Sequence, residues 1–197
     1  MLKTIKKLTL IAVLATAFGT GVSAQPSAGI KTNLFYDVTG TVNLGLEVGL
    51  APKWTLDLSG NINAWKVSDQ IYKHWRLQPE ARYWFCDRFA GHFLGVHALG
   101  GQFNVGHWRN PVDFLGTRYS MLKDYRAQGW GVGAGIAYGY AWILGKHWNL
   151  ELELGIGWVH TWYDVYECKE CGRKVKSDQQ DNYYGPTKAA VNLVYVF

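Results

Sequence analysis

The chain has 197 residues, which suits one domain, with 20 lysines and arginines against 15 aspartates and glutamates. Three of those 20 basic side chains, Lys3, Lys6 and Lys7, stand at the extreme N-terminus, and no basic footprint for nucleic acid remains elsewhere. Three cysteines, an odd number, exclude a disulfide-framework protein.

The N-terminal basic residues lead into an apolar run from Leu8 to Val22, followed by the small residues Ser23 and Ala24. This is the three-part form of a cleaved secretory signal rather than of a membrane-spanning helix. Cleavage after Ala24 divides the chain into a signal peptide, 1–24, and a mature domain, 25–197, with 17 basic and 15 acidic residues once the three lysines are gone.

Beyond the leader no helical period is evident, and alternation of period two recurs. Eight strands are predicted, at approximately 29–37, 41–50, 54–65, 75–85, 92–104, 127–144, 148–162 and 185–197. In the second, Leu44, Leu46, Val48 and Leu50 alternate with Asn43, Gly45, Glu47 and Gly49. In the third, Leu56, Leu58 and Ile62 alternate with Thr55, Asp57, Ser59, Asn61 and Asn63. In the fourth, Arg76, Gln78, Glu80 and Arg82 share one parity. The fifth alternates weakly around Gly100 and Gly101, where a bulge is expected, and the facing of His97 stays open.

The sixth segment, AQGWGVGAGIAYGYAWILG, is uncharged and long enough to be weighed as a membrane helix. Its glycines 129, 131, 133, 135 and 139 share one parity, however, and glycine is poor in helix interiors, so a strand is predicted. It also lacks the spacing of a dinucleotide-binding turn. In the seventh, Glu151 and Glu153 alternate with Leu150, Leu152 and Leu154. The eighth ends on Phe197, with Tyr195, Leu193 and Val191 on its parity.

Connections alternate between short ones (APK, CDRFAG, GKH) and, after a small first turn at Thr39-Gly40, longer ones near 66–74, 105–126 and 163–184. Short turns at one rim and long loops at the other mark an all-β, eight-stranded antiparallel up-and-down transmembrane β-barrel. Each strand reaches the roughly 9–11 residues that a tilted strand needs to cross a bilayer. The expected location is the outer membrane of a Gram-negative cell, with short turns periplasmic and long loops extracellular. The lipid bilayer is then the first partner.

This architecture resembles the small eight-stranded outer-membrane barrels of the OmpX and OmpA type. More specifically, KTNLFYDVTGTVNLGLEVGLAPKWTLDLSGN, QPEARYWFCDRFAGHFLGVHALGGQFNVG, GYAWILGKHWNLELELGIGW, YECKECG and YYGPTKAAVNLVYVF resemble the domain of unknown function 3575 family, over nearly all of the mature chain. That resemblance implies an envelope protein of Gram-negative gut and oral anaerobes, and it brings no catalytic residue. The terminal aromatic, Phe197, resembles the signal read by the barrel-assembly machinery during biogenesis.

In a bilayer the apolar parity must face out and the polar parity in. The expected lumen network is Lys31, Glu47, Asp57, Arg76, Glu80, Arg82, Glu151, Glu153 and Lys188, five acids against four bases. Eight strands enclose only enough room for side chains, so these charges are expected to pair as a plug. The inward glycines of the sixth strand are expected to make room for long arginines. Trp54, Trp75, Tyr83, Trp142, Trp148, Trp158, Trp162 and Tyr195 read as interfacial girdles, with sugar stacking as the alternative.

His160 and Asp164 would be two members of a lipid-A-modifying site, but no serine lies at matching height in a neighbouring strand. Cys168 and Cys171 suit a local disulfide or two loop thiols. A single C-x-x-C supplies two of the four ligands zinc usually takes, so no metal or cofactor is expected. Cys86 belongs to a short turn at the opposite rim and should stay unpaired with them. The long loops mix charges with Trp108, Tyr119, Tyr125, Tyr166, Tyr183 and Tyr184, a surface open to a protein or glycan partner. The function expected is non-enzymatic: envelope integrity, adhesion, or accessory work for surface fibres, the last suggested by the resemblance alone. A lipid-modifying enzyme and a narrow pore are the alternatives.

Overall fold

The computed structural model describes residues 26–64, 66–67, 70–106, 125–167 and 173–197. The expected signal peptide, 1–24, and Cys168, Cys171, Trp108 and Tyr119 lie outside the described residues.

Eight long strands account for most of the rest: β1 (Ala28–Asn33), β2 (Val42–Ala51), β3 (Trp54–Asn63), β4 (Gln70–Trp84), β5 (Gly91–Gly106), β6 (Arg126–Ile143), β7 (Trp148–Tyr166) and β8 (Lys174–Val196). A two-residue piece, Lys66–Val67, pairs with Gln70 and Ile71 at the tip of the β3–β4 hairpin. Every strand is antiparallel to its neighbours in sequence. Pairing of β1 with β8, from Gly29↔Val196 to Asn33↔Asn192, closes the ring. Two further hydrogen bonds extend that seam, Ser27 N donating to Phe197 O and Phe197 N to Ala28 O.

A walk along cross-strand partners shows how the strands lean. Gly29, Glu47, Asp57, Glu80, His97, Gly135, Gly157 and Gly185 are successive partners around the ring. Gly185 lies 11 residues short of Val196, with which Gly29 itself pairs. A closed sheet with that stagger has tilted strands. The tilt brings side chains from distant strands to one height inside the ring.

Polarity is inverted relative to a water-soluble sheet. Leu44, Leu46, Leu56, Leu58, Leu77, Leu94, Ile136, Leu152, Leu154 and Ile156 are exposed on the outer face. Glu47, Asp57, Glu80, Arg82, Glu151 and Glu153 are buried within. At the short-turn end two apolar clusters pack inside, Trp84 with Phe93 and Ala141, and Phe89 with Val194 and Val196. Phe89 reaches this position from the β4–β5 turn through a left-handed backbone, φ 63°. No helix among the described residues is long and apolar enough to cross a membrane, which says nothing about strands.

Several predicted boundaries move. The first strand stops at Asn33 rather than 37, because Leu34–Val38 form a short helix, α1. The Asn33 side chain caps it by accepting from Phe35 N, and Asp37 accepts from Thr32 Oγ1 and Asn43 Nδ2. The fourth strand begins at Gln70, and the seventh and eighth run out to Tyr166 and in from Lys174. Much of the sequence expected as loop is therefore ladder. The bulge expected at Gly100-Gly101 is absent, since β5 keeps one register with β4 from Gly106 to Phe93. Irregularities fall instead between Gly49 and Ala51 and at Gly155/Ile156 and Tyr163/Val165.

Candidate functional site

An ionic cluster fills the middle of the ring. Alternation on β2, β3, β4 and β7 turns Glu47, Asp57, Glu80, Arg82, Glu151 and Glu153 inward, and β1 and β8 add Lys31 and Lys188. None of the eight is more than 7% exposed.

Arg82 is the hub. Its Nε donates to Glu80 Oε1 at 2.7 Å, Nη1 to Glu47 Oε2 at 2.7 Å and Glu151 Oε2 at 3.0 Å, and Nη2 to Glu153 Oε2 at 2.8 Å. Its guanidinium also lies over the Phe93 ring, 4.5 Å from the centroid. Only a planar fork of five N–H donors can serve four carboxylates at once.

Two lysines add positive charge from either side. Lys31 Nζ is 2.6 Å from Glu47 Oε2 and 3.1 Å from Asp57 Oδ1. Lys188 Nζ is 3.0 Å from both Glu80 Oε2 and Glu153 Oε1. Neutral donors satisfy further lone pairs: Thr55 Oγ1 donates to Glu47 Oε1, and Asn192 Nδ2 to Glu151 Oε1 at 2.7 Å. Trp84 Nε1 in turn donates to Thr55 Oγ1 at 2.9 Å, linking the cluster to the apolar end.

One predicted member stands apart. Arg76 is ion-paired to none of these carboxylates; its Nη2 donates to Tyr36 Oη and its Nη1 reaches Thr187 O at 3.5 Å. It lies earlier on β4 than Gln78 and Arg82, toward the long-loop end, where its surroundings present amides and hydroxyls such as Asn33, Tyr36 and Asn61. The five acids thus meet three permanent cations, not four.

His97, whose facing the sequence left open, points inward, 2% exposed. Its Nδ1 is 3.3 Å from Glu80 Oε2, and its Nε2 is 2.9 Å from Thr187 Oγ1. The parity it shares with Phe93 and Gly95 was the available signal, obscured by Gly100 and Gly101. Among the described residues the β6 glycines lie against no arginine: Gly129, Gly131 and Gly133 abut β7, and Gly135 and Gly139 make room for side chains of β5. A Cβ at Gly135 would lie 2.6 Å from His97 Nε2, and one at Gly139 would strike the Phe93 ring.

Next to the cluster, on the α1 side, lies a polar cavity of about 30 Å³ lined by Lys31, Asn33, Tyr36, Arg76, Gln78 and Lys188 among others. That volume accommodates about one water.

The predicted surface aromatics lie on the outer face. Trp54, Trp75, Trp142, Trp148, Trp158 and Tyr195 are between 36% and 47% exposed. Trp162 stacks on Trp130 with centroids 4.1 Å apart. Phe197 is exposed, its ring edge-on to Tyr195. His160 and Asp164 are not brought together: His160 Nδ1 is 2.8 Å from Asn182 Oδ1, whereas Asp164 Oδ2 is 2.7 Å from Lys174 Nζ. The hydrogen bond from Lys174 holds the Asp164 carboxyl below its ordinary value. Cys86 is exposed and free. Among the described residues no group of three His, Cys, Asp or Glu side chains is placed to hold a metal ion.

The profile of the family described as Protein of unknown function (DUF3575) matches residues 8–197. The chain belongs to that family. A search of curated proteins returns no match. Family membership accounts for the resemblance carried by the strand motifs, and it assigns the DUF3575 chain no chemistry.

Proposed function

We propose that this DUF3575 protein is an integral outer-membrane β-barrel with a filled, non-conducting interior. It acts without catalysis, through its outer end, in envelope integrity, adhesion or accessory work for surface fibres. One observation carries the reading: a closed ring with a charged cluster buried inside and with leucines and isoleucines of β1 to β7 exposed on its outer face. In water such a surface far exceeds the apolar patches that soluble monomers tolerate. In a bilayer it is the required arrangement, since a closed ring satisfies its own backbone and lipid takes the apolar parity.

The filled interior argues against the pore, because the ion pairs bridge opposite walls and the adjoining cavity holds about one water. The separation of His160 from Asp164 argues against the lipid-modifying enzyme, which needs a base and its orienting acid in contact.

The test is outer-membrane fractionation together with heat-modifiable migration on gels. A folded, faster-migrating band in the outer-membrane fraction is expected; recovery from the soluble periplasm would overturn the reading. In planar bilayers the purified protein should give no steady conductance.

A further inference from the structure

The outer ends of β3 to β7 carry a second feature that the ionic interior does not explain. Trp75, Gln102 and Trp130 are consecutive cross-strand partners on the face turned away from the ion cluster. One row further out, Asn104, Gln128 and Asp164 are consecutive partners on the same face. An aromatic row is thus followed by a row of planar amides and a carboxylate. Both rows line one cleft of about 400 Å³, within the range of small-molecule sites.

The two indoles are 44% and 47% exposed. Trp75 is fixed by donating Nε1–H to Gln102 Oε1 at 3.1 Å, and Trp130 by its stack on Trp162. They present rigid apolar faces beside hydrogen-bonding groups. Asn104 Oδ1, on the polar row of the cleft, is withdrawn from solvent and has no hydrogen-bond partner among the described residues. A buried polar atom of that kind calls for a partner. A hydrocarbon tail would leave it unsatisfied, and an ion would leave the indoles bare. A pyranose ring serves both, its C–H face on an indole and its hydroxyls on the amides.

We propose that this cleft binds the saccharide headgroup of a membrane glycolipid, an inference that rests on the membrane reading above. The direction of access selects the glycolipid over a free sugar. The cleft lies on the lipid-facing parity, where the aromatic row meets lipid and the polar row meets headgroups.

The probe is an acylated glucosamine disaccharide in phospholipid nanodiscs holding the full mature chain, with binding read by native mass spectrometry. One glycolipid per chain should be retained in preference to phospholipid. Asn104→Ala with Gln128→Ala should weaken retention at least tenfold while leaving the unfolding midpoint unchanged. Trp130→Ala should act in the same direction; because it also unstacks Trp162, the amide pair is the deciding variant. Equal retention by wild type and the amide pair would overturn the proposal. So would a preference for phospholipid, or full displacement by the deacylated disaccharide. A chain that fractionates with outer membranes yet shows no glycolipid preference sinks this inference alone, whereas a soluble chain sinks the membrane reading first.

Discussion

Replacing Arg82 by methionine removes the hub of the interior while keeping most of its volume. Five hydrogen-bond or ion-pair contacts disappear, to Glu47, Asp57, Glu80, Glu151 and Glu153. Five acids are then left with Lys31 and Lys188. Removing one partner of a buried pair typically costs about 3–5 kcal/mol, because the other charge is stranded away from water. Here one side chain strands several, so a loss at or above the upper end, about 5 kcal/mol, is expected. Equilibrium urea unfolding from lipid vesicles measures it. Adding Glu47→Gln and Glu153→Gln to Arg82→Met should recover part of the loss, since amides tolerate the vacated space without charge. A loss below about 1 kcal/mol, the scale of exposed pairs, would refute the assignment of this cluster as the fold's ionic core.

Gly95→Ala should also destabilise, by about 1–3 kcal/mol, the usual cost of overpacking. The added methyl would lie 2.7 Å from Glu80 Cδ, and that carboxylate cannot step aside while Arg82 and Lys188 hold it; unfolding midpoints report the change. Trp84→Phe keeps the ring but removes the donor to Thr55 Oγ1, leaving a buried hydroxyl partly unsatisfied at about 1–3 kcal/mol in the same assay. For the exposed pair at the outer end, NMR titration should place the Asp164 midpoint below that of an ordinary aspartate, and Lys174→Met should raise it toward that value, with the hydrogen bond from Asp178 N remaining. The sign follows from linkage: a depressed carboxyl contributes stability above its unfolded-state value, and loses it as pH falls through the folded one.

The parity of the strands, and with it seven of the inward charges on β2, β3, β4, β7 and β8, could be read from period two alone. Parity is local, because successive side chains must alternate across a strand. What was not legible depends on partners. Arg76 shares a parity with Arg82 but faces no acid, and only the stagger of the ring decides that. The length of β7 and β8 was hidden because, beyond Trp162, both faces are polar and alternation gives no contrast. His97 was masked by two adjacent glycines that carry no side chain to mark a face. The helical turn at Leu34–Val38 was missed although Asn33, its cap, sits where a cap belongs. The amide-and-aromatic cleft joins β3 to β7 across the sheet, and no single stretch of sequence contains it.

The charge count inside the ring leads to the sharpest contrast among these side chains. Glu47, Asp57, Glu80, Glu151 and Glu153 face Arg82, Lys31 and Lys188, so the cluster holds two more acidic groups than permanent cations. Carboxylates crowded around shared cations repel one another, and the low dielectric of the interior strengthens that repulsion. Removing a negative charge therefore costs far less than removing a positive one. Glu153 is the position to test, because both its oxygens lie on cations that Glu80 already engages. Glu153→Gln should cost less than about 1 kcal/mol in urea unfolding, against about 5 kcal/mol for Arg82→Met. If the two variants lose stability equally, geometry rather than charge excess governs the interior. The filled lumen would then owe its form to hydrogen bonding alone.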